Sequence, residues 1–182
     1  MTSSQNLFRG LFLLICLSLL ATPALAQKGS FEVGLDLGTI DFDEDYGGDN
    51  ELAAGLRLAY YFTDKFALEY QRMGATSVFD LTMSLNLLNA VFFFGERDGL
   101  YGSLGAGTSK VTIDILPFNQ IFNTSIDDTG TALKAGLGYR FGLGKSHRRG
   151  IRLEAFGLAV DAFDVDATHF GLTAGFGYRF GG

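Results

Sequence analysis

Tryptophan is absent from this chain of 182 residues, cysteine occurs once, and proline and histidine occur twice each. The lone Cys16 lies within the apolar run 11–20. A lipidated cysteine needs small residues before it, and Leu14-Ile15 stand there instead. Cys16 is therefore expected to leave with a leader, which excludes a disulfide, thiol chemistry and a cysteine–metal site. Positive charge is also short, with 14 Lys and Arg against 20 Asp and Glu. Removal of Arg9 leaves 13 against 20, a net charge of −7. That deficit excludes nucleic acid, which selects basic surfaces. Long hydrophobic runs are missing too. Beyond the leader the longest is residues 90–94, against the roughly 20 residues a membrane helix needs. Yet 47% of the chain is hydrophobic. If such a chain enters a bilayer it must do so as strands.

What is present begins with the leader. Arg9, the apolar run 11–20 and Ala24-Leu25-Ala26 form the charged, apolar and cleavage regions of a secretory signal. Residues 1–26 are expected to be that signal, and residues 27–182 one barrel domain of single-domain length.

The body of the chain carries a repeated two-residue alternation, the period of a strand. Phe31, Val33, Leu35 and Leu37 alternate with Glu32, Gly34, Asp36 and Gly38. Leu52, Ala54, Leu56, Leu58, Tyr60 and Phe62 oppose Glu51, Gly55 and Arg57. Phe66, Leu68 and Tyr70 alternate with Ala67, Glu69 and Gln71; Phe79, Leu81, Met83, Leu85 and Leu87 alternate with Asp80, Thr82, Ser84 and Asn86. A weaker fifth segment sets Leu100, Leu104 and Ala106 against Tyr101 and Ser103. The sixth sets Leu133, Ala135, Leu137, Tyr139 and Phe141 against Lys134, Gly136, Gly138 and Arg140. In the seventh, Ile151, Leu153 and Ala155 face away from Arg152 and Glu154 before the pattern blurs. The eighth sets Phe170, Leu172, Ala174, Phe176, Tyr178 and Phe180 against His169, Gly171, Thr173, Gly175, Gly177 and Arg179.

Alternation alone also fits a soluble sandwich or a lipocalin-like barrel. The composition of the two faces separates them. One set is broad and greasy, the other small, polar and charged, as in a barrel dissolved in lipid. The fold class expected is all-β: an eight-stranded antiparallel up-and-down transmembrane β-barrel, with both termini in the periplasm. External loops are expected from near Thr39, Gly74, Val111 and Asp161, and turns near Asp64, Glu96 and Lys145. Even-numbered segments end in aromatic clusters, so Tyr60, Phe62, Phe93, Tyr139, Phe141, Tyr178 and Phe180 are expected to form one interfacial girdle. Residues 133–142 and 172–181 are near-repeats offset by 39 residues, the length of one up-and-down hairpin.

These features resemble the small outer-membrane barrel families: the transmembrane domain of OmpA, OmpX and the opacity-type surface proteins. The resemblance covers the segment after the leader. Its sharpest motif is the last segment, where Thr173, Gly175, Tyr178 and Phe180 resemble the C-terminal assembly signal of such proteins. It implies an outer-membrane location and recognition by the barrel-assembly machinery. Gly181-Gly182 after Phe180 depart from the usual terminal aromatic, which implies less efficient recognition.

Other motifs are weaker. Gly144-Lys145-Ser146 looks like the end of a phosphate loop, but Tyr139 stands where its first glycine belongs, so it reads as a turn. The acidic segment 41–49 has calcium-loop flavour, yet Tyr46 replaces the central glycine and Leu52 the final glutamate. A solvated loop is expected there, with a weak divalent contact beside lipopolysaccharide phosphates as the alternative. His147 falls in an expected turn, and His169 is followed by Phe170-Gly171, with no serine two residues on to serve as a nucleophile. No metal or cofactor is expected, and no catalysis.

The inward charges Glu32, Asp36, Arg57, Glu69, Lys134, Arg140, Arg152, Glu154 and Arg179 are expected to fill a lumen only wide enough for side chains. Segment 111–128 is unusually apolar through Ile113, Ile115, Phe118, Ile121 and Phe122. Either strands five and six extend as a hairpin turning near Pro117, or the loop packs over the mouth or offers an interaction site. The expected function is non-enzymatic: envelope structure or surface interaction and adhesion. Its partners would be outer-membrane lipid and lipopolysaccharide, the assembly machinery, and a host or envelope partner at the loops, with the chain a monomer. The competing readings are a narrow low-conductance porin and a lipid A-modifying enzyme.

Overall fold

Alternating grease and polarity leave a strand two different faces, and a closed sheet gives each face its own solvent. The computed structural model describes residues 29–41, 50–76, 81–95, 98–115, 124–162 and 165–181. They form β1 (Ser30–Asp41), β2 (Asn50–Tyr61), β3 (Phe66–Thr76), β4 (Leu81–Phe93), β5 (Gly99–Ile115), β6 (Thr124–Leu143), β7 (Arg149–Ala162) and β8 (Val165–Phe180). Each pairs antiparallel with its sequence neighbours, and β1 closes the barrel against β8 from Phe31↔Phe180 to Asp41↔Phe170. Closure leaves no strand edge unpaired, which hydrocarbon demands.

The start of β1 at Ser30 and the end of β8 at Phe180 lie at one end of the barrel, hereafter the terminal end. There the outward rings touch edge-on: Phe31 with Tyr60 at 5.2 Å, Tyr60 with Phe62 at 4.7 Å, and Tyr178 with Phe180 at 4.7 Å. Phe66 continues the belt to Phe92 at 5.0 Å. The turns at this end are tight. Gly144 takes φ +74°, and the His147 N–H donates to its carbonyl at 3.3 Å, so the Gly144-Lys145-Ser146 segment is a turn.

Two expectations are corrected, and one is decided between its alternatives. On β4 the faces are reversed toward the loop end: Met83, Leu85 and Leu87 are buried inside, while Thr82, Ser84 and Asn86 face out. The lumen at that level is apolar, so grease is the inward set there. Phe93 is not an interface aromatic. It is buried inside against Tyr61 at 5.9 Å and Tyr101 at 5.6 Å, while Phe92 and Phe94 face out. Finally, segment 111–128 is mostly strand. β5 and β6 stay paired to Ile115↔Thr124, which is the extended-hairpin alternative. Ile113 and Ile115 belong to β5, whereas Phe118, Ile121 and Phe122 lie outside the described residues, as do residues 1–26 and the acidic loop 42–49. The blurred seventh segment is also resolved. β7 runs on with Phe156, Leu158 and Val160 inward.

Candidate functional site: the filled lumen

The inward charges come from β1, β2, β3, β6, β7 and β8 and are all buried. They meet in one continuous web. On β1, Glu32 accepts from Arg140 at 3.0 Å, Arg179 at 3.4 Å, Arg57 at 3.5 Å and the Tyr61 hydroxyl at 3.1 Å. Arg57 reaches onward to Asp36 at 2.9 Å and Glu69 at 3.6 Å. Arg152 then bridges Glu69 to Glu154, the latter at 3.0 Å. Glu154 also takes Lys134 at 2.9 Å, Ser103 at 2.8 Å and the Tyr101 hydroxyl at 3.1 Å. Gln71 and Asn89 extend the web: Gln71 donates to Asp36 and accepts from Lys134, and Asn89 donates to Glu69.

Small inward residues make this density possible. A Cβ on Gly34 would stand 2.6 Å from the Arg57 guanidinium, and one on Gly150 would stand 2.7 Å from that of Arg140. The glycines opposite the greasy residues are thus the space into which the large charged side chains fold. Planar cations also stack on rings: Arg179 lies 4.3 Å from the Tyr61 ring centre and Arg152 4.3 Å from that of Tyr101, a favourable cation–π arrangement.

Sequence reasoning missed a member of the web. Among the described residues five buried cations, Arg57, Lys134, Arg140, Arg152 and Arg179, share the lumen with five buried carboxylates, Glu32, Asp36, Glu69 and Glu154 in the web and Glu51 nearer the loop end of β2. The missed member is Asp98, partly exposed just before β5, which pairs with Arg140 and with His147 of the β6–β7 turn. Asp98 lies outside the strand alternation, so periodicity could not find it.

Above the web the lumen changes character. Ile40, Met73, Met83, Leu85, Leu87, Val111, Phe156, Leu158 and Val160 form one buried cluster. Lys134 marks the seam, its ammonium paired to Glu154 below and 4.7 Å from the Phe156 ring centre. The interior is therefore a polar plug under a largely apolar cap, in which Glu51, Ser109 and His169 are also buried. Among the described residues no group of His, Cys, Asp and Glu is arranged to hold a metal.

The last-strand residues are placed as follows. Thr173 and Gly175 point inward, while Tyr178 and Phe180 lie on the outer face at the terminal end. Of the girdle residues, Tyr60, Phe62, Tyr139, Phe141, Tyr178 and Phe180 all face out.

A closed barrel with its grease outside and its charges within is the architecture of a protein that crosses a membrane on strands. Residues 12–180 match the family model described as outer membrane protein beta-barrel domain, and the chain belongs to that family. Its place is the bacterial outer membrane. Solved structures of the same fold include Neisserial surface protein A, 16% identical over 84% of this chain and 100% of that one, with a TM-score of 0.64. The N-terminal barrel of Pseudomonas aeruginosa OprF is 20% identical over 83% of this chain and 100% of that one, with a TM-score of 0.53. Ail, the attachment invasion locus protein of Yersinia pestis, is 22% identical over 84% and 97%, with a TM-score of 0.51. No curated protein matches the chain.

Proposed function

We propose that this protein is a non-enzymatic, non-conducting barrel whose work is done at its surface, as an envelope element that carries interaction loops. In this reading the terminal end faces the periplasm, and the long β5–β6 hairpin and its neighbours face outward. The observation that carries it is the double filling of the lumen, by a charge web that pairs each of its five described cations and by a largely apolar cap above it. An ion crossing this lumen would have to break buried pairs, each costing about 3–5 kcal/mol to disrupt, and then cross grease. Absence of catalysis is supported by His169, which is buried inside the barrel and followed by Phe170-Gly171, away from any lipid substrate. The assembly role of Thr173, Gly175, Tyr178 and Phe180 rests on their resemblance to a C-terminal signal.

Planar-bilayer recording on the refolded, heat-shifted protein is the test. Silent membranes at voltages where open barrels conduct are the expected result. Reproducible steps carried by the folded species would replace this reading with a narrow pore. A mass shift of lipid A on overexpression would replace it with an enzyme.

A further inference from the structure

The outer wall carries one charge out of place. On β3, Gln71 and Met73 are buried inside and Arg72 between them points outward and is exposed. Its neighbours across the sheet are Leu56 on β2 and Asn86 on β4. Among the described residues it is the one charged side chain on the lipid-facing wall between the aromatic girdle and the polar rim of Asp41, Lys110 and Asp161. No described carboxylate pairs with it. An arginine on the lipid face costs about 2–4 kcal/mol at mid-membrane and about 0–1 near the border. Its row is where the outer faces of β3 and β4 turn from Leu68, Tyr70 and Leu88 to Thr76, Asn86, Ser84 and Thr82.

We propose that Arg72 and Asn86 form a headgroup site for a phosphorylated lipid of the outer leaflet, of the lipid A class. The planar guanidinium presents a fork of N–H donors that suits phosphate oxygens. Beside it, the Asn86 carboxamide oxygen accepts from the Tyr70 hydroxyl at 3.0 Å, which leaves the amide N–H groups as further donors on the same wall. Toward the rim the row Ala54–Gly74–Ser84 is small. Nothing lies closer than 3.9 Å to a Cβ placed on Gly74, so a headgroup can lie low against the sheet there. Toward the girdle, Leu58, Tyr70 and Leu88 offer the apolar wall that acyl chains need. Of the lipid phosphates available, the outer-leaflet class is chosen because the site lies on the loop side of the apolar band, away from the girdle. The inference rests on the proposed orientation, with the loop end outermost.

The test uses the full chain in phosphatidylcholine nanodiscs doped with lipid A, with retained lipid A counted by native mass spectrometry. A symmetric disc offers the lipid to both ends, so a wrong orientation does not mask the site. Wild type is expected to retain lipid A and to release its dephosphorylated form. Arg72→Gln is expected to cut retention about tenfold while keeping the heat-shifted folded band. Arg149→Gln, which removes an exposed arginine at the terminal end, is expected to change nothing. If Arg72→Gln fails to fold, Asn86→Leu takes its place with a smaller loss expected. Equal retention by the site variant and wild type, equal retention of the dephosphorylated lipid, or an equal loss in Arg149→Gln would each overturn the proposal.

Discussion

The two halves of the barrel obey opposite rules. At the terminal end the interior is a web of arginines and carboxylates, and the exterior is Leu35, Leu58, Leu137, Phe176 and a belt of rings. At the loop end the interior is Met83, Leu85, Leu158 and Val160, and the exterior is Asn50, Thr76, Thr108 and Lys110. The same sheet runs through both, so secondary structure does not decide which face is greasy. The surrounding solvent does. Where the wall meets hydrocarbon, polar groups gather within and satisfy one another. Where it rises into water, the barrel is built like a soluble one, with an apolar core of the kind burial favours by about 25 cal/mol per Å².

Substitutions can break this contrast. The largest effect is expected from Glu32→Gln, which removes the charge shared by Arg57, Arg140 and Arg179. Leaving those cations unmatched should destabilise the barrel by about 3–5 kcal/mol, read as a lower urea midpoint in detergent micelles. In the cap, Leu85→Ala opens a cavity and should cost about 2–4 kcal/mol in the same titration. A third pair sharpens the border itself. Leu104→Arg, on the apolar wall of β5, should cost about 2–4 kcal/mol in lipid, whereas Thr108→Arg, four residues nearer the rim, should cost about 0–1 kcal/mol. Equal costs would move the border away from this stretch of β5. The smallest effect belongs to the exposed Lys110–Asp127 pair, at 2.9 Å. Lys110→Ala should change stability by less than about 1 kcal/mol, seen as an unchanged heat-modifiability profile.

The contrast also explains what was legible in the sequence. The eighth segment reads cleanly because nearly every inward residue, from Thr173 to Arg179, is small or polar. The charge web follows from the same alternation, since Glu32, Arg57, Glu69 and Arg140 each sit between greasy neighbours. β4 misled because the rule that grease faces out assumes one solvent along the whole strand. Leu87 and Leu88 are adjacent and both apolar, and at that point the greasy set changes sides. Phe93 misled in the same way, since three successive phenylalanines carry no phase of their own. β7 blurred at Phe156 because the lumen there passes from plug to cap. Asp98 was invisible to periodicity because it reaches Arg140 from a turn.

The connectivity of the charge web has a consequence for how the chain enters its membrane. Glu32 on the first strand is satisfied by Arg140, 108 residues away, and by Arg179, 147 residues away. The β1–β2 and β6–β7 hairpins pair some of their charges internally, but each is left with a surplus of one sign. β1 and β2 alone would carry Glu32, Asp36 and Arg57 against hydrocarbon with a surplus of negative charge, and β6 and β7 alone would carry a surplus of cations. A partly inserted sheet therefore leaves Glu32 short of Arg140 until β6 joins and of Arg179 until β8 closes on β1. Insertion is cooperative by electrostatics as well as by hydrogen bonding. The plug thus acts as a checkpoint during assembly, favouring the complete ring over any fraction of it.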